Sequence, residues 1–281
     1  MANLQALKGR IESIDKTASI TKAMHRIAAS KLVAAQQQYE QYHVFKEDFE
    51  KVIQDLVYHL PEHHYVKGHP NKGRHLYILI SSDRGLAGGY HQQLFAEFLK
   101  TVKEHGIDAV DVFVIGKKGF YFAQKQAFHV INQTFVSNKD QLSIINYDTY
   151  VDMIEKKYQA GIYESIKVYY NHFVNTMKQE PRAVQLLPVT RNEFHVSEHD
   201  FLYEGQKEHV FDEVIFIYLQ SSIYGAMVDA KLSEFSARIV AMNQATDNAT
   251  EALETLRLKY NQARQQKITS DLLDITNGKD V

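Results

Sequence analysis

Two stretches of about fifty residues, one toward each end of the chain, are free of glycine and proline: between Gly9 and Pro61, and between Gly225 and Gly278. As uninterrupted helix each would run ~75 Å at 1.5 Å per residue. An ordinary globular helix has three or four turns, so such length predicts a coiled coil. In the second stretch Val228, Leu232, Phe235, Ile239, Met242, Thr246, Ala249, Leu253, Leu256, Tyr260 and Ala263 alternate spacings of four and three. That is a 3.5-residue seam. In the first stretch Leu4, Leu7, Ile11, Ile14, Ala18 and Thr21 do the same. The pattern loosens through Met24, Ile27, Leu32 and Ala35, then resumes at Tyr42, Phe45, Phe49, Val52 and Leu56. Away from the seam the residues are polar, as at Glu251, Glu254, Arg257, Lys259 and Gln262. So narrow a stripe covers one partner helix, not a surrounding core. Because the stretches lie at opposite ends, each can serve as the other's partner, antiparallel. Two separate dimeric coiled coils are the alternative.

The middle alternates strand and helix signals. His75–Ser82, Val110–Gly116, Ala127–Val136, Ser165–Phe173 and Ala183–Val189 are rich in β-branched and aromatic residues and predict strands. His91–His105, Lys118–Gln126 and Gln141–Gln159 predict helices between them. Alternation of this kind implies a mostly parallel sheet covered by helices. All four prolines fall in this part of the chain. The expected organisation is a long helix over 1–60, a turn-rich linker over 61–74, an α/β domain over 75–200 and a second long helix over 201–281. The second helix pairs with the first.

Composition excludes several classes. With 44% apolar residues, 17 Tyr and 15 Phe, the chain can build a core and is not disordered. A formal charge of −2 gives no global attraction to nucleic acid or anionic lipid. Zero cysteines exclude disulfides and thiolate chemistry, and fit a reducing cytosol. The first sixteen residues lack an apolar core and carry Glu12 and Asp15, so no targeting peptide is expected. No apolar run approaches the ~20 residues that span a bilayer. Any membrane association is expected to run through another protein.

Individual motifs point less clearly to chemistry. In SSDRGLAGGY (Ser81–Tyr90), Gly85, Gly88 and Gly89 suit a tight turn at a helix N-terminus, a place that can hold an anion. The spacing is neither the dinucleotide pattern nor a P-loop, and Gly116-Lys117-Lys118 follows the second strand where a dinucleotide site wants an acidic residue. No cofactor is expected. His63, His64, His69 and His75 form a histidine-rich linker with irregular spacing and no defined metal geometry. Glu204, Glu208, Asp212 and Glu213 suit a helix N-terminus. The first thirty residues are locally basic through Lys8, Arg10, Lys16, Lys22, Arg26 and Lys31, yet the first aromatic is Tyr39. Nucleic-acid binding wants aromatics among the charges, so an acidic protein partner fits better.

Three segments together resemble the gamma subunit of F-type ATP synthases: ITKAMHRIAASKL (Ile20–Leu32), SSDRGLAGGY, and SIYGAMVDAKLSEFSARIVAMNQATDNATE with LKYNQARQQKIT (Ser222–Glu251 and Leu258–Thr269). They stand in the family's order, and the resemblance spans essentially the whole chain. It implies an antiparallel two-helix coiled coil with a Rossmann-like α/β domain at its base. It implies the central rotor of a bacterial enzyme, peripheral at the cytoplasmic face of the cell membrane, with no catalytic site of its own. The implied partners are three alpha and three beta subunits, an epsilon subunit and the membrane ring of c subunits. Arg264, Gln265 and Thr269 match positions that contact a loop of beta, with Lys22, Met24 and Arg26 on the facing stretch of the first helix. Tyr203 and Glu204 match the segment touching the c ring and epsilon. Ser82, Asp83, Arg84, Gly85, Gly88 and Gly89 match the family's loop. The chain differs in having Ala87 where the family loop usually has cysteine, Gly205 after Glu204 where proline is usual, and a polar end at 275–281. A nucleotide-dependent α/β enzyme and an unrelated coiled-coil adaptor are the alternative readings.

Overall fold

The computed structural model describes residues 2–69, 73–138, 147–191, 201 and 203–277, without the side chains of 2, 3, 271 and 274–277. Two helices dominate: α1, Ala2–His59, and α6, Lys207–Asn277. Packing divides the chain into two compact units, Met1–Ala29 with Arg238–Val281, and Ser30–Ala237.

The first unit is two helices and little else. The hydroxyl oxygens of Thr21 and Thr246 lie 2.8 Å apart, and Asp15 reaches Arg257 at 4.0 Å. Numbers fall along one helix as they rise along the other, so the pair is antiparallel. Met242, Ala249 and Leu253 are buried, while Thr246, Leu256, Tyr260 and Ala263 are half-buried between exposed neighbours. On α1 the matching positions are Ile11, Ile14, Ala18, Thr21 and Ala28. Small residues at Ala18, Ala28 and Ala249 let the backbones approach. The expectation at Ile27 is corrected: it is 54% exposed, and its neighbour Ala28 takes the seam position.

In the second unit the sheet order is β3-β2-β1-β4-β5. The strands are β1 His75–Ile80, β2 Val110–Ile115, β3 His129–Val130, β4 Ser165–Asn175 and β5 Lys178–Leu187. All neighbouring pairs are parallel except β4 with β5. β1 and β2 are buried on both faces, which explains their unbroken apolar sequences. One face, with Tyr77, Leu79, Val112 and Val114, packs on α3 (Tyr90–His105) and α4 (Lys117–Lys125) through Leu94, Phe98 and Phe120. The other face, with Leu76, Ile78, Ile80 and Phe113, packs on α5 (Asp148–Gln159), the end of α1 and the start of α6. A short helix, α2 (His64–Lys67), follows α1.

The third strand is shorter than the ten residues expected over Ala127–Val136. Ala127 takes a positive φ of 56°, and only His129 and Val130 pair in the ladder. Asn132 explains the early departure: its Oδ1 accepts from the Val114 amide at 2.9 Å and its Nδ2 donates to the Val114 carbonyl at 3.1 Å. One side chain thus supplies what a strand backbone would. β5 begins at Lys178, five residues before expected, because the β4–β5 hairpin runs on beyond β1 as a two-stranded ribbon. The helix expected at Gln141 is seen from Asp148; 139–146 lie outside the described residues, as do 192–200 in the second connection and 278–281 at the end.

The narrow-stripe expectation fails over part of α6. From Ala226 to Ser236 every residue is buried, including Asp229, Lys231 and Glu234. There α6 is a core helix, and its charges are paired internally: Lys231 with Glu234 at 3.0 Å, Asp229 with His172 at 2.6 Å. Phe45 on α1 is likewise 47% exposed, against the seam role expected for it, and stacks on Phe49.

Candidate partner-binding surfaces

The loop after β1 is welded to the start of α4. Asp83 Oδ1 accepts from the backbone amides of Lys117 (2.9 Å) and Asn138 (3.3 Å), and its Oδ2 accepts from the Ser137 hydroxyl at 2.6 Å. The Lys118 amide donates to the Ser82 carbonyl, and the Gly119 amide to Ser81 Oγ at 2.7 Å. Ser82 Oγ donates to the Arg84 carbonyl and bonds His91 Nε2 at 2.7 Å. In nucleotide-binding α/β folds, free amides at such a helix start hold phosphate. At the start of α4 the protein's own carboxylate, carbonyl and hydroxyl take the amides of Lys117, Lys118 and Gly119. Gly116 and Gly119 serve close approach: a Cβ on Gly116 would fall 2.3 Å from the Ser81 carbonyl oxygen, and one on Gly119 2.7 Å from Ser81 Oγ. Gly85 has room, Gly88 takes φ 57°, and Gly89 caps α3. Leu86 takes a positive φ of 61° and stands 60% exposed, so the loop presents its apolar tip outward.

In the first unit, Arg264, Gln265 and Thr269 are all exposed, outside the seam. Thr269 Oγ1 donates to the Gln265 carbonyl at 2.9 Å. Lys22 and Arg26 are exposed on one face of α1, while Met24 is half-buried on another. The expectation that Lys22, Met24 and Arg26 face the Arg264 group is corrected by the register. Thr21 lies opposite Thr246, eighteen residues or ~27 Å of helix from Arg264. The antiparallel pairing therefore makes two surfaces at different levels, not one.

Tyr203 and Glu204 point different ways. The Tyr203 hydroxyl donates to Asp55 Oδ2 at 2.6 Å, and Lys207 Nζ sits 5.4 Å over its ring. Burial raises the Tyr203 pKa, and Asp55 raises it further. Glu204 is exposed. Asp55, 1% exposed near the end of α1, is a partner that sequence patterns did not flag. It lies beside the expected seam position Leu56.

Of the linker histidines, His63 and His64 meet Asp212, with His63 Nε2 3.4 Å from Asp212 Oδ1. His63 Nδ1 accepts from the Tyr65 amide as the cap of α2. With Nδ1 accepting, Nε2 is the ring nitrogen that faces Asp212. His75 lies elsewhere, bonded to Ser165 Oγ at 2.8 Å. No described helix is long and apolar enough to cross a membrane.

A family model described as ATP synthase matches residues 3–280. Among solved structures, a chain from the central stalk and c-ring of the Tetrahymena thermophila mitochondrial ATP synthase is 22% identical. It superposes with a TM-score of 0.60 over 80% of this chain and 99% of that one. A chain of the Euglena gracilis mitochondrial ATP synthase is 17% identical, with a TM-score of 0.60 over 98% of this chain and 97% of that one. A second Euglena gracilis chain, from the rotor, is 17% identical with a TM-score of 0.56, covering 93% and 99%.

Proposed function

Since the chain belongs to the gamma-subunit family of ATP synthases, we propose that it is the central rotor of a bacterial enzyme of this type, without a catalytic site of its own. Its partners on this reading are three alpha and three beta subunits around the paired helices, and epsilon with the c ring at the α/β unit. The membrane is reached only through them, from the cytoplasmic face.

The observation that carries the reading is the division of labour on the paired helices. Ala249, Leu253 and their partners take the packing, while Lys22, Arg26, Arg264 and Gln265 are left outside the seam. A helix pair with unequal faces, turning among equivalent catalytic sites, contacts each differently at any moment. Differential contact is all that an effector needs to bias conformations. Moving one site from 1:99 to 99:1 takes about 5.5 kcal/mol. An ion crossing the membrane supplies roughly 2.3 kcal/mol per charge per 100 mV, so several ions act per step. Arg264 and Gln265 on this reading meet a beta loop at one level, and Lys22 with Arg26, four apart on one helix face, meet an acidic beta segment at the other. Glu204, rather than Tyr203, makes the outward contact at the base. The loop 82–89 offers Leu86 to a neighbouring subunit.

Arg264→Ala with Gln265→Ala tests the assignment. Assembly or ATPase activity of the complex is expected to fall, while circular dichroism of the isolated chain stays unchanged. Full assembly and turnover in that double variant would refute the contact.

A further inference from the structure

Apart from these surfaces, a cavity of about 200 Å³ opens between α1, the β4–β5 ribbon and α6 within the second unit. Tyr42 from α1, Tyr170 from β4 and Tyr218 from α6 line it. Gly225 lets the Tyr42 ring pack directly on α6, because a Cβ there would fall 2.1 Å from that ring. Burial, and after it the nearness of Glu50, Tyr170 and Tyr218, raises the Tyr42 pKa. Burial also pushes Tyr170 and Tyr218 up to about 12. At neutral pH all three phenols therefore keep their protons as hydrogen-bond donors.

The charges around the cavity are unevenly committed. Lys46 pairs with Glu50 at 3.3 Å, and His43 lies 3.4 Å from Glu47. The Asp229 carboxylate is taken by His172 at 2.6 Å and the Phe173 amide at 2.7 Å. Arg182, exposed at the rim, stands opposite Tyr170 in the β4–β5 ladder. A guanidinium has five N–H donors, so Arg182 has donors left for an anion. A cationic ligand would meet that guanidinium instead of a free carboxylate. Size limits the rest: a cavity of ~150 Å³ accepts benzene, and drug-sized ligands need ~300 Å³ or more. This space admits one ring and a carboxylate.

We propose that the cavity binds a small aromatic carboxylate, its ring held among Tyr42, Tyr170 and Tyr218 and its carboxylate on Arg182. Such a ligand would touch α1, α6 and the ribbon at once. Binding only the folded chain, it stabilises that state by mass action.

Isothermal titration of the full chain with 4-hydroxybenzoate tests this, with saturation-transfer NMR to show ring contact. One saturable site is expected, with a rise in melting temperature. Arg182→Gln is expected to weaken binding about tenfold or more, and Tyr42→Phe to weaken it less. Because Arg182 is exposed, its variant keeps the fold, which circular dichroism checks. No saturable binding at millimolar concentrations overturns the proposal, as does equal affinity of wild type and Arg182→Gln.

Discussion

Asp111, at the start of β2, shows how much one buried carboxylate can organise. It is 4% exposed and accepts from Tyr163 Oη at 2.8 Å, from His129 Nδ1 at 2.7 Å and from Arg74. Burial alone would raise its pKa, but those three donors outweigh it and hold the carboxyl below its ordinary value. The folded pKa thus lies below the unfolded one, near 3.9. Its stabilisation is present above that value and is lost as pH falls through the folded pKa. Asp111→Asn is expected to cost about 1–2 kcal/mol at pH 7, since Arg74 and His129 are partly solvated. Urea unfolding should show the gap between the two proteins closing as pH falls below the ordinary aspartate range; an undiminished gap in acid would contradict the assignment. Gly116 makes a harder demand. With φ 97° and the Ser81 carbonyl 2.3 Å from any added Cβ, Gly116→Ala is expected to cost ~3 kcal/mol or more. A midpoint within error of wild type would show that the β1–α4 corner is not tight.

Among the elements, the long helices were legible because a missing glycine or proline is visible in a string of letters. The seam from Met242 to Ala263 was legible because its period is written in residue types. The burial of α6 from Ala226 to Ser236 was not. Asp229, Lys231 and Glu234 lie off the apolar seam, and the pairing of Asp229 with His172 and of Lys231 with Glu234 follows only from packing. The third strand misled for a related reason. Residues 127–136 have strand-like composition, but the side chain of Asn132 replaces the ladder at Val114. Asn132→Ala is expected to leave that amide and carbonyl unpaired beside β2 and to cost about 1–3 kcal/mol. Hydrogen exchange at Val114 reports it directly: faster exchange is expected, and unchanged protection would show that a neighbour substitutes. Of the candidate contacts, Arg264, Gln265, Lys22 and Arg26 were legible because exposure follows from the heptad. The two levels they occupy were not, because register depends on which threonine meets which. Asp55, which turns Tyr203 inward, carried no signal in a stretch that reads as apolar seam.

At the scale of the whole molecule, each unit supplies a different part of the proposed role. The paired helices offer exposed cations and amides along a narrow seam, suited to contacts that must be made and released in turn. The α/β unit pairs the buried charges Asp111 and Asp229 with its own side chains and the first amides of α4 with its own loop. Neither helix carries glycine or proline between residues 10 and 60 or between 226 and 277. The proposed role has this chain turning against its neighbours. A reporter attached at exposed Lys103, in a complex immobilised through its beta subunits, measures that directly. ATP is expected to drive continuous rotation of the reporter in one direction. A reporter that stays still while the same complexes hydrolyse ATP would contradict the claim that this chain is their rotor.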